Sequence, residues 1–389
     1  MSAHAWPRHG LARAAACAAT TLAAALAHAA EPIKVGAIST LSGGPAEFGP
    51  VAGATRAFFD SVNAAGGIRG RPLVLIEEDD RADPRAAAAA AAKLLQADKV
   101  VALVGGASLL ECAVNAAAYE HADVVSIPGL GLDASCFRSK MIAPVNAGPY
   151  AQLTVAMRFA VERLKAQRLC VFRMGVPVPV QKGFDAEMQA WKQRGALVPV
   201  IDEGSVQYAD APLRHLQRAA DARCDALVFA GPAPVAIGFA KAAKKVVGTA
   251  PRLLFLGSAY TEQVARALGA DAEGVYAISE FEPWSSRSGS LSNWRDLMTR
   301  AKVPVTSSSQ GGYVAAQVFV HVLRGIPGEI NRESVARAFR ALTRFEPAMV
   351  GMPFTFGDAA MHHPNRAAIP VQMIEGRWRI AHHEWIAAE

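Results

Sequence analysis

Ile33-Lys34-Val35-Gly36-Ala37-Ile38-Ser39, then Val51 to Asn63 closed by Ala64-Ala65-Gly66-Gly67-Ile68-Arg69-Gly70, then Pro72 to Asp79: this stretch decides the fold. Ile33–Ser39 is short and apolar without clean alternation, as in a strand covered by helices on both faces. Val51–Asn63 carries Phe58, Phe59 and Val62 on one helical face. Glycines able to take positive φ end that helix, and Pro72–Asp79 is the next strand. A strand, a helix and a second strand of this kind form a unit of a parallel sheet with a right-handed crossover.

The same rhythm continues outward. Asp83-Pro84 supplies an N-cap followed by proline at the first helical position, predicting a helix to about Ala97. Val100–Val104 follows as strand, Leu110–His121 as helix and Asp123–Ile127 as strand. After Gly148-Pro149 the pattern restarts. Helices are expected at Ala151–Lys165, Lys182–Arg194, Leu213–Ala222 and Val235–Val247, with strands at Arg168–Arg173, Leu197–Ile201, Ala226–Ala230 and Arg252–Leu256. Two successive sets of about four units imply two doubly wound α/β lobes with parallel sheets rather than one very wide sheet. A closed barrel is the rival. The helical stretches Leu291–Lys302, Gly312–Arg324 and Arg332–Leu342, and the hairpin-like end Ile369–Ile374 with Trp378–His382, fit it poorly.

Upstream of the first strand, Arg8 and Arg13 precede the nearly uncharged run Ala14–Ala27, and Ala27-His28-Ala29 is a small-x-small cleavage site. This is the pattern of a secretory signal peptide at 1–29, which directs the body outside the cytoplasm, to the periplasm. The run is too short to span a bilayer. Removing Arg8 and Arg13, with no acid lost, lowers the formal charge from +6 to +4. That mild excess, without a Lys/Arg run, suggests no nucleic-acid partner and no polybasic membrane patch.

Cys17 lies in the leader, leaving Cys112, Cys136, Cys170 and Cys224. An oxidising compartment permits disulfides. Cys112 and Cys136 flank one predicted strand in loop-rich sequence and are the candidate pair. Cys170 and Cys224 sit in or beside core strands and are expected to be buried free thiols. No CxxC spacing of a zinc or redox site occurs.

In open α/β lobes, ligands bind beyond the carboxyl ends of the strands. Here those ends carry glycine: Leu41-Ser42-Gly43-Gly44, Gly105-Gly106-Ala107-Ser108, Pro128-Gly129-Leu130-Gly131, Met174-Gly175, Gly231-Pro232 and Gly257-Ser258. Small residues there admit a ligand to backbone N–H groups and helix N-termini. Neither GxGxxG nor GxxxxGK[ST] is present, so no cofactor is expected. Ser108-Leu109-Leu110-Glu111 has the form of a capping box, with Ser108 also placed to meet a ligand. Glu77-Glu78-Asp79-Asp80 and Asp83 are explained as strand-end and capping carboxylates. His362-His363 and His382-His383 point to opposite faces as neighbours in extended chain, and surface positions are expected. No nucleophile–base set stands out, so an enzyme is not expected. Among aromatics at loops or helix starts, Phe48, Tyr260 and Tyr313 stand above Trp284 and Trp294.

These residues resemble the leucine/isoleucine/valine-binding-protein type of ABC-transporter substrate-binding protein, which has the type I periplasmic binding fold. The resemblance rests on Ile33-Lys34-Val35-Gly36 leading to Leu41-Ser42-Gly43 and Phe48-Gly49, and on Val62-Asn63-Ala64-Ala65-Gly66-Gly67-Ile68-Arg69-Gly70. Asp79-Asp80 with Asp83-Pro84, Val104-Gly105, Ile127-Pro128 and Gly351-Met352-Pro353-Phe354-Thr355-Phe356 extend it. It implies a three-crossover hinge near residues 148, 279 and 354. Lobe 1 would be 30–147 with 280–353, and lobe 2 would be 148–279 with 354–389. It further implies a monomer that closes on a small ligand and docks on the membrane permease of an importer.

Carried over by position, first-lobe contacts fall on Phe48, Ser108, Leu109 and the backbone of Gly129, Leu130 and Gly131, with Tyr313 beside them. The last three would hold a ligand carboxylate. Second-lobe contacts fall on Val180, Gln181, Pro232, Ala259 and Tyr260. This chain departs from amino-acid binders of the family there: Val180, Pro232 and Ala259 stand where tyrosines and a glutamate meet the α-ammonium, with Glu262 nearby. The family's threonine at the carboxylate loop is replaced by Gly131, and its cysteine pair near the second helix by Arg81-Ala82. An ammonium buried without a carboxylate costs several kcal/mol. The expected ligand is therefore an aromatic or aliphatic acid without a free amine, or else a branched-chain amino acid-like molecule. A sensor working through a signalling partner is the alternative output, and a hydrolase lacks its residues.

Overall fold

β1 (Ile33–Ser39) lies parallel to β2 (Leu73–Asp79) along its whole length, joined to it through α1 (Gly49–Ala64). In this computed structural model the residues described are 1–2, 31–43, 48–176, 178–269 and 273–389. All but the first two residues of the expected leader lie outside them. α2 (Pro84–Ala92), β3 (Leu103–Val104), α3 (Glu111–His121) and β4 (Ser126–Ile127) complete a parallel sheet in the order β2-β1-β3-β4. Asp83 caps α2 as expected, accepting from the N–H groups of Arg85 and Ala86.

The second sheet is built from α4 (Gly148–Arg158), β5 (Leu169–Met174), α5 (Val178–Gln193), β6 (Ile201–Val206), α6 (Pro212–Asp221) and β7 (Ala226–Ala230), followed by α7 (Ala233–Ala243), β8 (Arg252–Phe255), α8 (Glu262–Leu268) and β9 (Tyr276–Ser279). The chain then returns to the first layer with α9 (Ser292–Ala301), α10 (Ser307–Gly325) and α11 (Arg332–Arg340). It crosses back to add β10 (Ala367–Ile374), β11 (Arg377–Ile380) and β12 (Ile386–Ala387) to the second sheet. That sheet has the order β11-β10-β9-β8-β7-β5-β6, with β10 antiparallel to β9 and paired also with β12. Two open sheets linked by three passages exclude the closed barrel. In each, the strand order reverses beside the first strand, at β1/β3 and at β5/β7, which is where an α/β sheet opens a crevice at its carboxyl edge.

α1 and α10 approach closely because Gly312 has no side chain: a Cβ there would lie 1.9 Å from Val51 O. Thr55 Oγ1 donates to Gly312 O at 3.0 Å across the same contact. Phe59 and Phe319 fill the core beside it, while Phe172, Phe229, Phe239 and Phe255 fill that of the second sheet.

Some expectations need correction. β6 begins where Leu197–Ile201 was expected to end, because Val198 and Val200 are exposed and the ladder to β5 starts at Ile201. β9 and α8 are too short to show a period in the sequence. Cys112 and Cys136 are joined, with Cα atoms 5.0 Å apart. Cys170 and Cys224 are not free thiols: they are also joined, with Cα atoms 5.9 Å apart. Residues 54 apart in sequence meet because β5 and β7 are sheet neighbours. Asp133 completes a grouping of metal-ligand size with Cys112 and Cys136, but those sulfurs are bonded to each other. Among the described residues, no helix is long and apolar enough to cross a membrane.

Candidate functional site

The loops past the carboxyl ends of β1 and β3 interlock. Thr40 N donates to Ala107 O at 2.9 Å and Thr40 Oγ1 accepts from Leu109 N at 3.0 Å. Ser108 Oγ accepts from the N–H groups of Leu110 and Glu111, at 2.9 and 2.7 Å. Its own proton goes to Asp80 Oδ2, whose side chain is fully buried. Ser108 therefore has no proton left for a ligand. The expected capping box is not formed: Leu110 stands at the N-cap of α3 without a side-chain cap, Ser108 holds the two amides at the helix entry, and Glu111 does not reach back. Its Oε1 turns inward, accepting from Tyr119 Oη at 3.0 Å and Ser126 Oγ at 3.1 Å. Burial pushes the Glu111 carboxyl up to about 7.

The next loop is equally engaged. Gly129 N donates to Gly106 O at 3.0 Å, Leu130 N to the same oxygen at 3.4 Å, and Gly131 N to Asn146 Oδ1 at 2.7 Å. The bare backbone of Gly129 is required by packing, since a Cβ there would fall 2.5 Å from Val51 Cγ1. Phe48 is buried at the start of α1. Tyr313, in α10, meets Phe58 edge-on with ring centroids 4.9 Å apart. Its hydroxyl makes no hydrogen bond within the protein among the described residues.

Past the second sheet, Val180 and Gln181 lie in the first turn of α5. Gln181 Nε2 donates to Asp185 Oδ1 at 2.9 Å, while its Oε1 is buried without a partner. Pro232 is exposed at the N-cap of α7. Ala259 and Tyr260 face the core. Tyr260 stacks on Trp284 with ring centroids 3.6 Å apart and meets Trp378 edge-on. Glu262 Oε1 accepts from Trp284 Nε1 at 3.2 Å.

Of the carboxylates at 77–83, Asp79, Asp80 and Asp83 hold backbone N–H groups, while Glu77 and Glu78 pair with Arg56 and Lys93. Asp79 Oδ1 accepts from the N–H groups of Leu41, Ser42 and Arg81. His362 and His363 are not on the surface. His362 is buried, stacks on Phe356 and bonds Lys140 O at 2.9 Å, while His363 bonds Ala147 O at 2.8 Å. Burial lowers both imidazoles, His363 to about 4. Turns packed on the body at 358–366 enclose them, which their local sequence does not reveal.

Sequence reasoning also missed Leu41 and Val178, which are exposed with Leu109 just past the ends of β1, β5 and β3. It missed the buried Asn146, Gln152 and Glu280 at the passages between sheets. Leucine and valine at strand ends were visible in the sequence. Their solvent exposure was not.

A family model described as periplasmic binding protein matches residues 32–377. A curated amino acid binding protein of Pseudomonas aeruginosa is 34% identical over 105 residues, which are 26% of this chain and span only 28% of that protein. A possible leucine/isoleucine/valine-binding protein from Rhodopirellula baltica superposes with a TM-score of 0.74 at 21% identity, over 91% of this chain and 97% of its own. A solute-binding protein of an ABC transporter from R. palustris, in complex with 4-hydroxybenzoate, superposes with the same score of 0.74 at 19% identity, over 92% and 97%. The two likenesses are equal, so the fold does not choose between their ligands.

Proposed function

Because the chain belongs to the periplasmic binding protein family, we propose that it is the extracytoplasmic ligand-capturing component of an ABC-type importer. It closes on a small apolar acid that lacks a free amine and delivers it to a membrane permease. The closing bodies are 30–147 with 280–353 and 148–279 with 354–389. Capture is a population shift: the ligand favours the closed state by its differential affinity and is not transformed.

The single observation that supports this ligand class is the make-up of the crevice loops. Leu41, Leu109 and Val178 are exposed past the strand ends, Val180 and Pro232 lie at the starts of α5 and α7, and Glu262 is engaged by Trp284. An ammonium entering such a crevice loses its water without gaining a carboxylate, at a cost of several kcal/mol. Tyr313, whose hydroxyl is unengaged among the described residues, is the proposed donor to the acid group. Ser108 and Gly131 are poorer candidates, because their protons already have partners.

Thermal-shift measurements and calorimetry with 4-hydroxybenzoate, benzoate, a medium-chain fatty acid and leucine test the reading. An acid at about 100 times its Kd raises stability by about 2.7 kcal/mol, and leucine leaves it unchanged. Stabilisation by leucine alone overturns the ligand class and leaves the family standing.

A further inference from the structure

Three buried side chains join the passages between the two sheets. Glu280 follows β9, Asn146 precedes α4 and Gln152 lies within it, and none is more than 9% exposed. Glu280 Oε2 accepts three hydrogen bonds: from Asn146 Nδ2 at 3.0 Å, Gly148 N at 3.1 Å and Gln152 Nε2 at 2.8 Å. The third passage joins them through Asn365, whose Nδ2 donates to Val145 O at 3.4 Å and to Glu280 O at 3.3 Å.

The outer ends of this network are the crevice loops. Asn146 holds Gly131 by both its polar groups, accepting from Gly131 N at 2.7 Å and donating to Gly131 O at 3.1 Å. Gln152 Oε1 accepts from Gly257 N at 2.5 Å, and Gly257 opens the loop that carries Ala259 and Tyr260. A Cβ on Gly257 would lie 2.8 Å from Gln152 Oε1, so the contact leaves no room for a side chain.

Among the described residues Glu280 has no ion-pair partner. A buried carboxylate held by neutral donors alone is costly, and an apolar side chain would pack there at less expense. A single carboxylate oxygen can accept three convergent N–H donors, and a glutamine offers the same acceptor only with its amide oxygen turned toward them.

We infer that Glu280 is a positioning residue for ligand capture: its one carboxylate sets Gly131 through Asn146 and Gly257 through Gln152, coupling the ligand loops of the two sheets. This rests on the proposed binding role for its importance to ligand, but not for the coupling itself. Displacement of either loop by a bound molecule is transmitted to the other through a path of four hydrogen bonds: Gly131–Asn146, Asn146–Glu280, Glu280–Gln152 and Gln152–Gly257.

Amide hydrogen exchange at Gly131 and Gly257, read by NMR on the glycine-labelled mature protein without ligand, tests the coupling. Gly36 N, which donates to Ala102 O at 2.9 Å inside the first sheet, is the internal control. Glu280→Ala should speed exchange at Gly131 and Gly257 together by about tenfold or more, the loss of one buried hydrogen bond's worth of protection, and leave Gly36 unchanged. Glu280→Gln keeps one acceptor oxygen and should recover protection at both glycines. If Glu280→Ala does not fold, Asn146→Ala and Gln152→Ala replace it. Each should then release its own glycine directly and the distant one in part.

Unchanged exchange at Gly257 in Glu280→Ala, or equal acceleration at Gly36, overturns the inference. So do single-arm variants whose effects stop at the near glycine. Calorimetry with 4-hydroxybenzoate separates the two proposals. No binding to the wild type counts against the ligand class alone, whereas wild-type binding that survives Glu280→Ala at full affinity counts against the positioning role.

Discussion

Ser108→Ala tests whether the hydroxyl past β3 serves the fold or the ligand. In the structure Ser108 Oγ accepts from two amides and gives its proton to the fully buried Asp80. Removing it takes away the acceptor of two backbone amides, worth about 1 kcal/mol. It also leaves Asp80 Oδ2 buried without its donor, at about 1–3 kcal/mol. The variant should therefore lose about 2–4 kcal/mol of stability in urea unfolding of the mature protein. A double-mutant cycle with Asp80→Ala should return a coupling energy of about 0.5–3 kcal/mol, since the cost arises from the pair. Affinity for whichever acid stabilises the wild type should stay within about threefold, a change of less than 1 kcal/mol. A variant of unchanged stability that no longer binds that acid would refute the reasoning, because the proton would then belong to the ligand.

Other consequences are open to measurement. Burial lifts Glu111 to about 7 from an ordinary carboxylate value, so the folded state holds its proton more tightly than the unfolded state. Its contribution is complete below the unfolded value and fades as pH rises through about 7. Glu111→Gln should flatten that slope, on the order of 3 kcal/mol, in unfolding measured from pH 4.5 to 8. Replacing Cys170 and Cys224 together by alanine opens a loop of 54 residues and should cost about 4 kcal/mol, read as a lower urea midpoint. A loss below about 1 kcal/mol would show that the bond adds little to the packing around it. Gly312→Ala places a methyl 1.9 Å from Val51 O, so α1 and α10 must separate, and the yield of folded protein should fall sharply while Gly325→Ala, with open space around it, is tolerated.

Much of this architecture was legible because it is local. The βα rhythm, the Asp83 cap and the glycine-bearing strand ends depend on residues within a few positions of one another, and periodicity and capping report such relations directly. The candidate partners Cys112 and Cys136 also lie close, 24 residues apart across one strand. The expectation of a crevice came from the fold class, because open α/β sheets take ligands at their carboxyl edges.

What those side chains do was decided only by folding. Ser108 loses its proton to an aspartate 28 residues away, Gly131 is taken by Asn146, and Asn146 answers to Glu280 across 134 residues. Tyr260, an apparent ligand platform, is drawn into the core by Trp284 and Trp378. Cys170, in β5, finds Cys224, just before β7, because those strands are neighbours in the sheet but not in the chain. A donor or thiol has one partner at a time, chosen by distance in space. The chain by itself specified most of the strands and helices and the glycines at the strand ends, and the three-dimensional packing determined which polar groups remain free to meet a ligand.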